Sequence, residues 1–256
     1  MATQLSRYPS LAGLAGGDLL SSADLNADQA ADLLRLAAEL KSGRLTVHHP
    51  GRNLGLIFTK ASTRTRVSFT VAMARLGGQT IDLNPSVTQV GRGEPVPDTA
   101  RVLSRYVDAL AIRTFAQQEL EEYAHWASVP VINALTDLEH PCQALADYLT
   151  LQEAFGGDPA DLRGLTLAYV GDGNNVAHSL MLAGALLGVN VRIGCPAGYA
   201  PDPAVLAQAQ GLASAQGCTV AVLHEPVEAV RGAQALYTDV WASMGQEEEK
   251  AERERA

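Results

Sequence analysis

The stretch Asn53-Leu54-Gly55-Leu56-Ile57-Phe58-Thr59-Lys60-Ala61-Ser62-Thr63-Arg64-Thr65-Arg66 decides the fold. Its first six residues are an uncharged, mostly apolar run of strand length, and the pattern after it reads as a helix over residues 65–76. A strand that turns into a helix is the start of a βα unit. At the junction stand hydroxyls and guanidinium groups, Ser62 to Arg66. The first turn of a helix has N–H groups without internal partners and the positive end of the helix dipole. An anion there meets N–H, O–H and guanidinium donors together. Arginine adds a planar fork that matches two phosphate oxygens. The pentapeptide also fits an ordinary helix start, with Ser62 or Thr63 capping and both arginines solvated. Alone, it leaves both readings open.

Composition narrows the classes. The chain has 256 residues, 47% of them hydrophobic, enough for a large core and two domains of ordinary size. A net charge of -9 argues against a general nucleic-acid binder, which needs Lys and Arg in excess on one face. Any anion site is therefore local. No run approaches the roughly 20 apolar residues of a membrane helix, and no basic region followed by an apolar signal core opens the chain. A soluble, cytoplasmic protein with no membrane partner is expected. The cysteines Cys142, Cys195 and Cys218 are odd in number and lack C-x-x-C spacing, and there is no H-E-x-x-H, so neither a disulfide framework nor a metal site is suggested.

Outward from the opening stretch, strand-like and helix-like runs alternate. An amphipathic helix over residues 28–41, ended by Gly43, precedes it. After it come a strand at 79–83, a helix at 98–106, a strand at 109–113, a helix at 117–127, a strand at 130–133 and a helix at 141–153. Gly156-Gly157-Asp158-Pro159 then breaks the pattern. A second series follows: strands at 165–170, 190–194, 219–223 and 235–239, with helices at 176–187 and 203–216. The expected architecture is α/β with two domains, each a parallel sheet flanked by helices: residues 1–138, a connecting helix 139–153, and residues 154–256. Ligands of open α/β sheets sit beyond the carboxyl ends of strands. The polar residues of interest fall there: the Ser62 segment, Arg113, Asn133, Gly171 to Asn175 and Asp239. Such placement suits a cleft between two α/β units.

Three further segments weigh on the pentapeptide. His140-Pro141-Cys142-Gln143 puts proline at a first helical position, with His140 before it and Gln143 one turn on. Gly171-Asp172-Gly173-Asn174-Asn175-Val176 follows a buried strand, and Asp239-Val240-Trp241-Ala242-Ser243-Met244-Gly245 ends the last one. With Ser62 to Arg66, these segments resemble the carbamoyltransferases, and within them the ornithine branch. The resemblance runs from about the first helix to the last residue. It implies the carbamoyltransferase fold and transfer of a carbamoyl group from carbamoyl phosphate to L-ornithine in a homotrimer of arginine metabolism, with no cofactor and no metal. It implies that Ser62, Thr63, Arg64 and Thr65 grip the phosphate, that Arg113 is a second arginine binding both phosphate and carbonyl, that His140 and Gln143 hold the carbamoyl group, and that Arg113 and His140 serve catalysis with Arg64. Gln89 matches a position that reaches carbamoyl phosphate in a neighbouring subunit. Asn175 and Asp239 match residues at the α-amino end of ornithine, Ser243 and Met244 the loop that closes on its α-carboxylate, and Asn133 would line the same cleft.

The sequence departs from the family at its end. Family members continue well past the Ser-Met-Gly segment, with a His-Cys-Leu-Pro motif, a later arginine and a final helix, and none of these follows here. The expectation is a C-terminally incomplete second domain with impaired activity. One rival is a nicotinamide-dependent oxidoreductase, suggested by Gly171-x-Gly173. It lacks the third glycine, since residue 176 is Val, and the strand ending near Ile193 carries no acidic residue for a ribose. Another is a non-catalytic protein that keeps only the phosphate pocket, and a third is transfer to putrescine or another amine. His178 is expected to serve packing or the polar surface of its helix rather than catalysis, and Cys142 to point into helix packing rather than to act as a nucleophile.

Overall fold

Both faces of the strand at Asn53–Phe58 (β1) are apolar, which is the condition for a parallel strand covered by helices on both sides. Leu54, Leu56 and Phe58 share a cluster with Ala111 and Ala134. Ile57 faces the opposite cluster with Leu110, Ile112, Leu120, Tyr123 and Val131. Gly55 lies on the second face, where a Cβ would come within 2.8 Å of Leu110.

The computed structural model describes residues 6–240. They divide into two compact units that meet in sequence between Leu145 and Ala146. The first holds α1 (Ala27–Ser42), β1, α2 (Arg64–Arg75), β2 (Gln79–Asp82), α3 (Val96–Leu103), β3 (Ala109–Arg113), α4 (Gln117–Trp126), β4 (Val131–Leu135) and the start of α5 (Pro141–Phe155). The division falls within α5, between Leu145 and Ala146. The sheet order is β2-β1-β3-β4, all parallel. The chain steps from β1 to β2 on one side and then crosses back to β3 on the other, so the crevice beyond β1 and β3 is the topological switch point, where open α/β sheets bind ligands. The Ser62 segment follows β1 and Arg113 ends β3.

The second unit contains the rest of α5, then β5 (Thr166–Val170), α6 (Asn175–Leu186), β6 (Asn190–Gly194), α7 (Pro203–Gln216), β7 (Val220–Leu223), α8 (Pro226–Val230) and β8 (Ala235–Thr238). Its parallel order is β7-β6-β5-β8, with the switch point between β5 and β8. From Val176 to Leu186 every residue of α6 is buried, the polar His178 and Ser179 among a run that is otherwise apolar or glycine. No helix of the described residues is long and apolar enough to cross a membrane.

The alternation read from the sequence is realised in both units, with local differences. The helix expected at 98–106 runs Val96–Leu103, starting after Pro95, whose fixed φ suits a helix entry. Two elements escape periodicity because they are too short for it. One is α8. The other is a strap ahead of α1, where Leu19 pairs with Ile132 and covers the outer edge of β4.

Candidate active site

Helix α2 begins at Arg64, and Thr63 before it makes no side-chain capping bond, so the first-turn N–H groups are not spent on that hydroxyl. The two arginines part company. Arg66 pairs with Asp82 and lies over the Phe58 ring, 4.9 Å from its centroid. Arg64 is exposed and forms no ion pair among the described residues.

Arg113 comes from the next strand of the sheet. The β3–β4 register shifts between Ile112 and Arg113, which pair with Asn133 and Leu135 and leave Ala134 as the extra residue. Such a bulge re-aims side chains at a strand end. The Arg113 side chain is only 6% exposed, and its buried Nε has no hydrogen-bond partner. Burial lowers its pKa, and the nearby Arg64 charge lowers it further. His140 sits before Pro141, and its carbonyl accepts the Gln143 and Ala144 N–H groups, as a residue at a helix start does. Burial, then the Arg113 charge, pull its imidazole down to about 4. Arg64, Arg113 and His140 are thus electrostatic neighbours, and neither arginine has a carboxylate partner among the described residues. Gln143 is half-buried one turn along α5. Gln89 lines a separate cavity of about 140 Å³ with Leu83, Thr88, Thr99 and Leu103.

Buried charges that the sequence pattern did not reveal hold these loops. Lys60, 8% exposed, pairs with Asp137 and sits 4.4 Å from the centroid of Phe115, tying the loop after β1 to those after β3 and β4. Glu139, 2% exposed, accepts the Ser21 hydroxyl at 2.5 Å and the Ser22 N–H at 3.0 Å. Its own N–H reaches Thr136 Oγ1 at 3.2 Å. The strap thereby fixes the residue next to His140. Partners more than a hundred positions away leave no local signal in the sequence. Asn133, expected to line a cleft, is instead fully enclosed within β4, donating through Nδ2 to the Leu20 carbonyl at 2.8 Å. A mid-strand position on the strap side explains the difference. Cys142 donates to the Asn133 carbonyl at 3.5 Å, and burial pushes its thiol up to about 11, which removes it as a nucleophile at neutral pH.

In the second unit, Asn175 opens α6 and Asp239 follows β8, so the switch point brings both strand ends together. Asp239 is exposed. Its Oδ1 accepts the Val240 N–H at 2.7 Å, and its Oδ2 accepts from Asn174 Nδ2 at 3.3 Å. Ser243 and Met244 lie outside the described residues. Gly173 has a packing reason: a Cβ there would stand 2.2 Å from the Pro201 nitrogen. That close approach to the turn at 199–201 accounts for the glycine without a dinucleotide. His178 is buried, and its Nε2 accepts the Asp202 N–H at 2.9 Å, a packing role.

Residues 17–153 match the domain described as aspartate/ornithine carbamoyltransferase, carbamoyl-P binding domain, and residues 163–256 match the corresponding Asp/Orn binding domain. A protein of Parasynechococcus marenigrum named ornithine carbamoyltransferase is 71% identical over 246 residues, which cover 96% of this chain and 76% of that protein. Among solved structures, ornithine carbamoyltransferase from Gloeobacter violaceus aligns with a TM-score of 0.81 at 60% identity, covering 88% of this chain and 74% of the other. The enzyme from Pyrococcus furiosus aligns at 0.86 and 48% identity, covering 94% and 77%. With both domains matched in order and relatives of high identity covered over most of their length, the chain belongs to the aspartate/ornithine carbamoyltransferase family.

Proposed function

We propose that this chain transfers the carbamoyl group of carbamoyl phosphate to the δ-amine of L-ornithine, giving L-citrulline and phosphate. The observation that carries the reading is the gathering of Arg64, Arg113 and His140 at a switch point with no carboxylate paired to either arginine among the described residues. Holding like charges together costs free energy that a dianionic ligand offsets. The first-turn N–H groups of α2, the hydroxyls of Ser62, Thr63 and Thr65, and Arg64 take the phosphate. Arg113 and His140 donate to the carbamoyl oxygen, and Gln143 holds the carbamoyl amide.

Attack by the neutral δ-amine forms the C–N bond and places negative charge on that oxygen; the charge then returns to the carbonyl as the C–O bond to phosphate breaks. The departing phosphate carries off the amine proton. Each aligned donor at such an oxygen is worth about 3 kcal/mol of barrier, and holding two substrates in line supplies about 7–11 kcal/mol more. Neither a metal nor a nucleotide has a task in these steps. Asn175 and Asp239 receive the α-amino end of ornithine, and Ser243 with Met244 closes on its α-carboxylate. The protein works in the cytoplasm, in arginine biosynthesis, as a homotrimer in which Gln89 serves a neighbouring subunit's site.

The test is incubation of the protein with carbamoyl phosphate and a panel of amines, with chromatography for ureido products. Citrulline from ornithine, and no product from putrescine, is the expected result. Product from putrescine alone overturns the acceptor assignment, and no product from any amine favours a binding protein. The trimer has its own measurement. Gln89→Ala mixed with Arg64→Ala is expected to regain activity that neither parent shows, because hybrid assemblies contain intact sites. Mixtures that never exceed the parents would sink the shared site.

A further inference from the structure

We infer that Asn174 is a positioning residue that aims Asp239, and that it thereby sets the preference for acceptors bearing an α-amino group. The inference rests on the assignment of Asp239 to that amino group. Three donors converge on Asn174 Oδ1: the N–H groups of Val176 and Ala177, at 3.0 and 3.2 Å, and the Tyr169 hydroxyl at 3.4 Å. An amide nitrogen could accept none of them, so the orientation of the side chain is fixed. Its Nδ2 must face away from the helix, and the group it meets is Asp239 Oδ2 at 3.3 Å.

The other carboxylate oxygen is already held by the Val240 N–H. Asp239 is therefore gripped at both oxygens by neutral donors. A lysine or arginine in place of Asn174 would also hold the carboxylate but would cancel its charge. An amide fixes its direction and leaves the negative charge for an incoming ammonium. The strands below support this arrangement. Tyr169 on β5 and Tyr237 on β8 are register partners whose rings stack at 5.8 Å. The strand end that carries Asp239 thus stands beside the loop that carries Asn174.

Asn174 also caps α6, so a test must separate capping from aiming. Serine caps about as well as asparagine but is too short to reach Asp239, whereas alanine does neither. The parent, Asn174→Ser, Asn174→Ala and Asp239→Asn are titrated calorimetrically with L-ornithine and with 5-aminopentanoate, which lacks only the α-amino group. The unreactive phosphonoacetamide stands in for carbamoyl phosphate. In Asn174→Ser the preference for L-ornithine over 5-aminopentanoate is expected to fall about tenfold, the low end for a hydrogen bond to a charged group. Affinity for 5-aminopentanoate and the thermal midpoint are expected to stay at parental values. An undiminished preference in Asn174→Ser, when Asp239→Asn has lost it, overturns the aiming role alone. A loss in Asn174→Ser matched by a falling thermal midpoint and by weaker 5-aminopentanoate binding overturns it in favour of capping. A parent without the preference, or an Asp239→Asn that keeps it, overturns the assignment of Asp239 and the inference with it.

Discussion

Arg113→Met is expected to lower kcat/KM for carbamoyl phosphate by about a thousandfold while raising the thermal midpoint. The two effects have one cause. The guanidinium is buried, its Nε lacks a partner, and its pKa is depressed by burial and by Arg64. In the free protein that charge is an uncompensated cost, and methionine of similar length removes it. Relief of about 1 kcal/mol would move the midpoint by about 2–4 °C in a chain of this size. In the reacting complex proposed above, the same group faces the oxygen on which charge builds. Loss of one such donor costs about 3–4 kcal/mol, and each 1.4 kcal/mol is a factor of about ten. Arg113→Lys is expected to restore little, because a point charge does not reproduce the fork. Steady-state citrulline assays and thermal melts check the pair. Activity within tenfold of the parent, or a falling midpoint, would remove Arg113 from the role given to it.

The trade between stability and binding also explains which parts of the molecule could be read from the sequence. Strands such as β1 and β5 were legible because both faces are buried, which makes their sequences near-continuous apolar runs. Helix α1 announced its end through Gly43, which sits at φ +74°, and its start is a capping box of Asn26 and Gln29. The hydroxyls and guanidinium groups of Ser62 to Arg66 were visible in the sequence, but the different surroundings of the two arginines were not. Arg64 and Arg66 stand two residues apart and so project from different sides of α2, and only Arg66 meets Asp82 and Phe58. Lys60 and Glu139 were illegible for a different reason. A charged residue is buried only when a distant partner compensates it, here Asp137 for one and the strap at Ser21 and Ser22 for the other. The capping role of Asn174 could have been found, since an asparagine just before an apolar run is a capping signal, but its contact with Asp239 could not. Its second partner, Asp239, lies 65 positions away.

Acid is expected to weaken the parent protein more than His140→Asn, by about 2–3 kcal/mol between pH 7.5 and 4.5. The folded imidazole titrates at about 4, held down first by burial and then by Arg113, against an ordinary value of 6.5. Between those two values the unfolded chain binds the proton and the folded one does not, so stability must rise with pH across that window. The contribution is fully present above 6.5 and is lost as the pH falls toward 4. A separation of about 2.5 pH units at about 1.4 kcal/mol each bounds it near 3 kcal/mol. Asparagine carries no titrating group, so the difference between the two urea unfolding curves isolates His140 from the carboxylates that both proteins share. The same depression bears on the chemistry. At neutral pH the imidazole is uncharged, and it can donate a hydrogen bond to the carbamoyl oxygen without adding a third positive charge beside Arg64 and Arg113. In an Arg113→Met background the second of its two causes is gone, so the His140 pKa should rise part of the way back and the acid loss should shrink. Equal acid losses in the parent and in His140→Asn, or a His140 ring resonance that titrates near 6.5, would show that this imidazole is not held neutral by its surroundings.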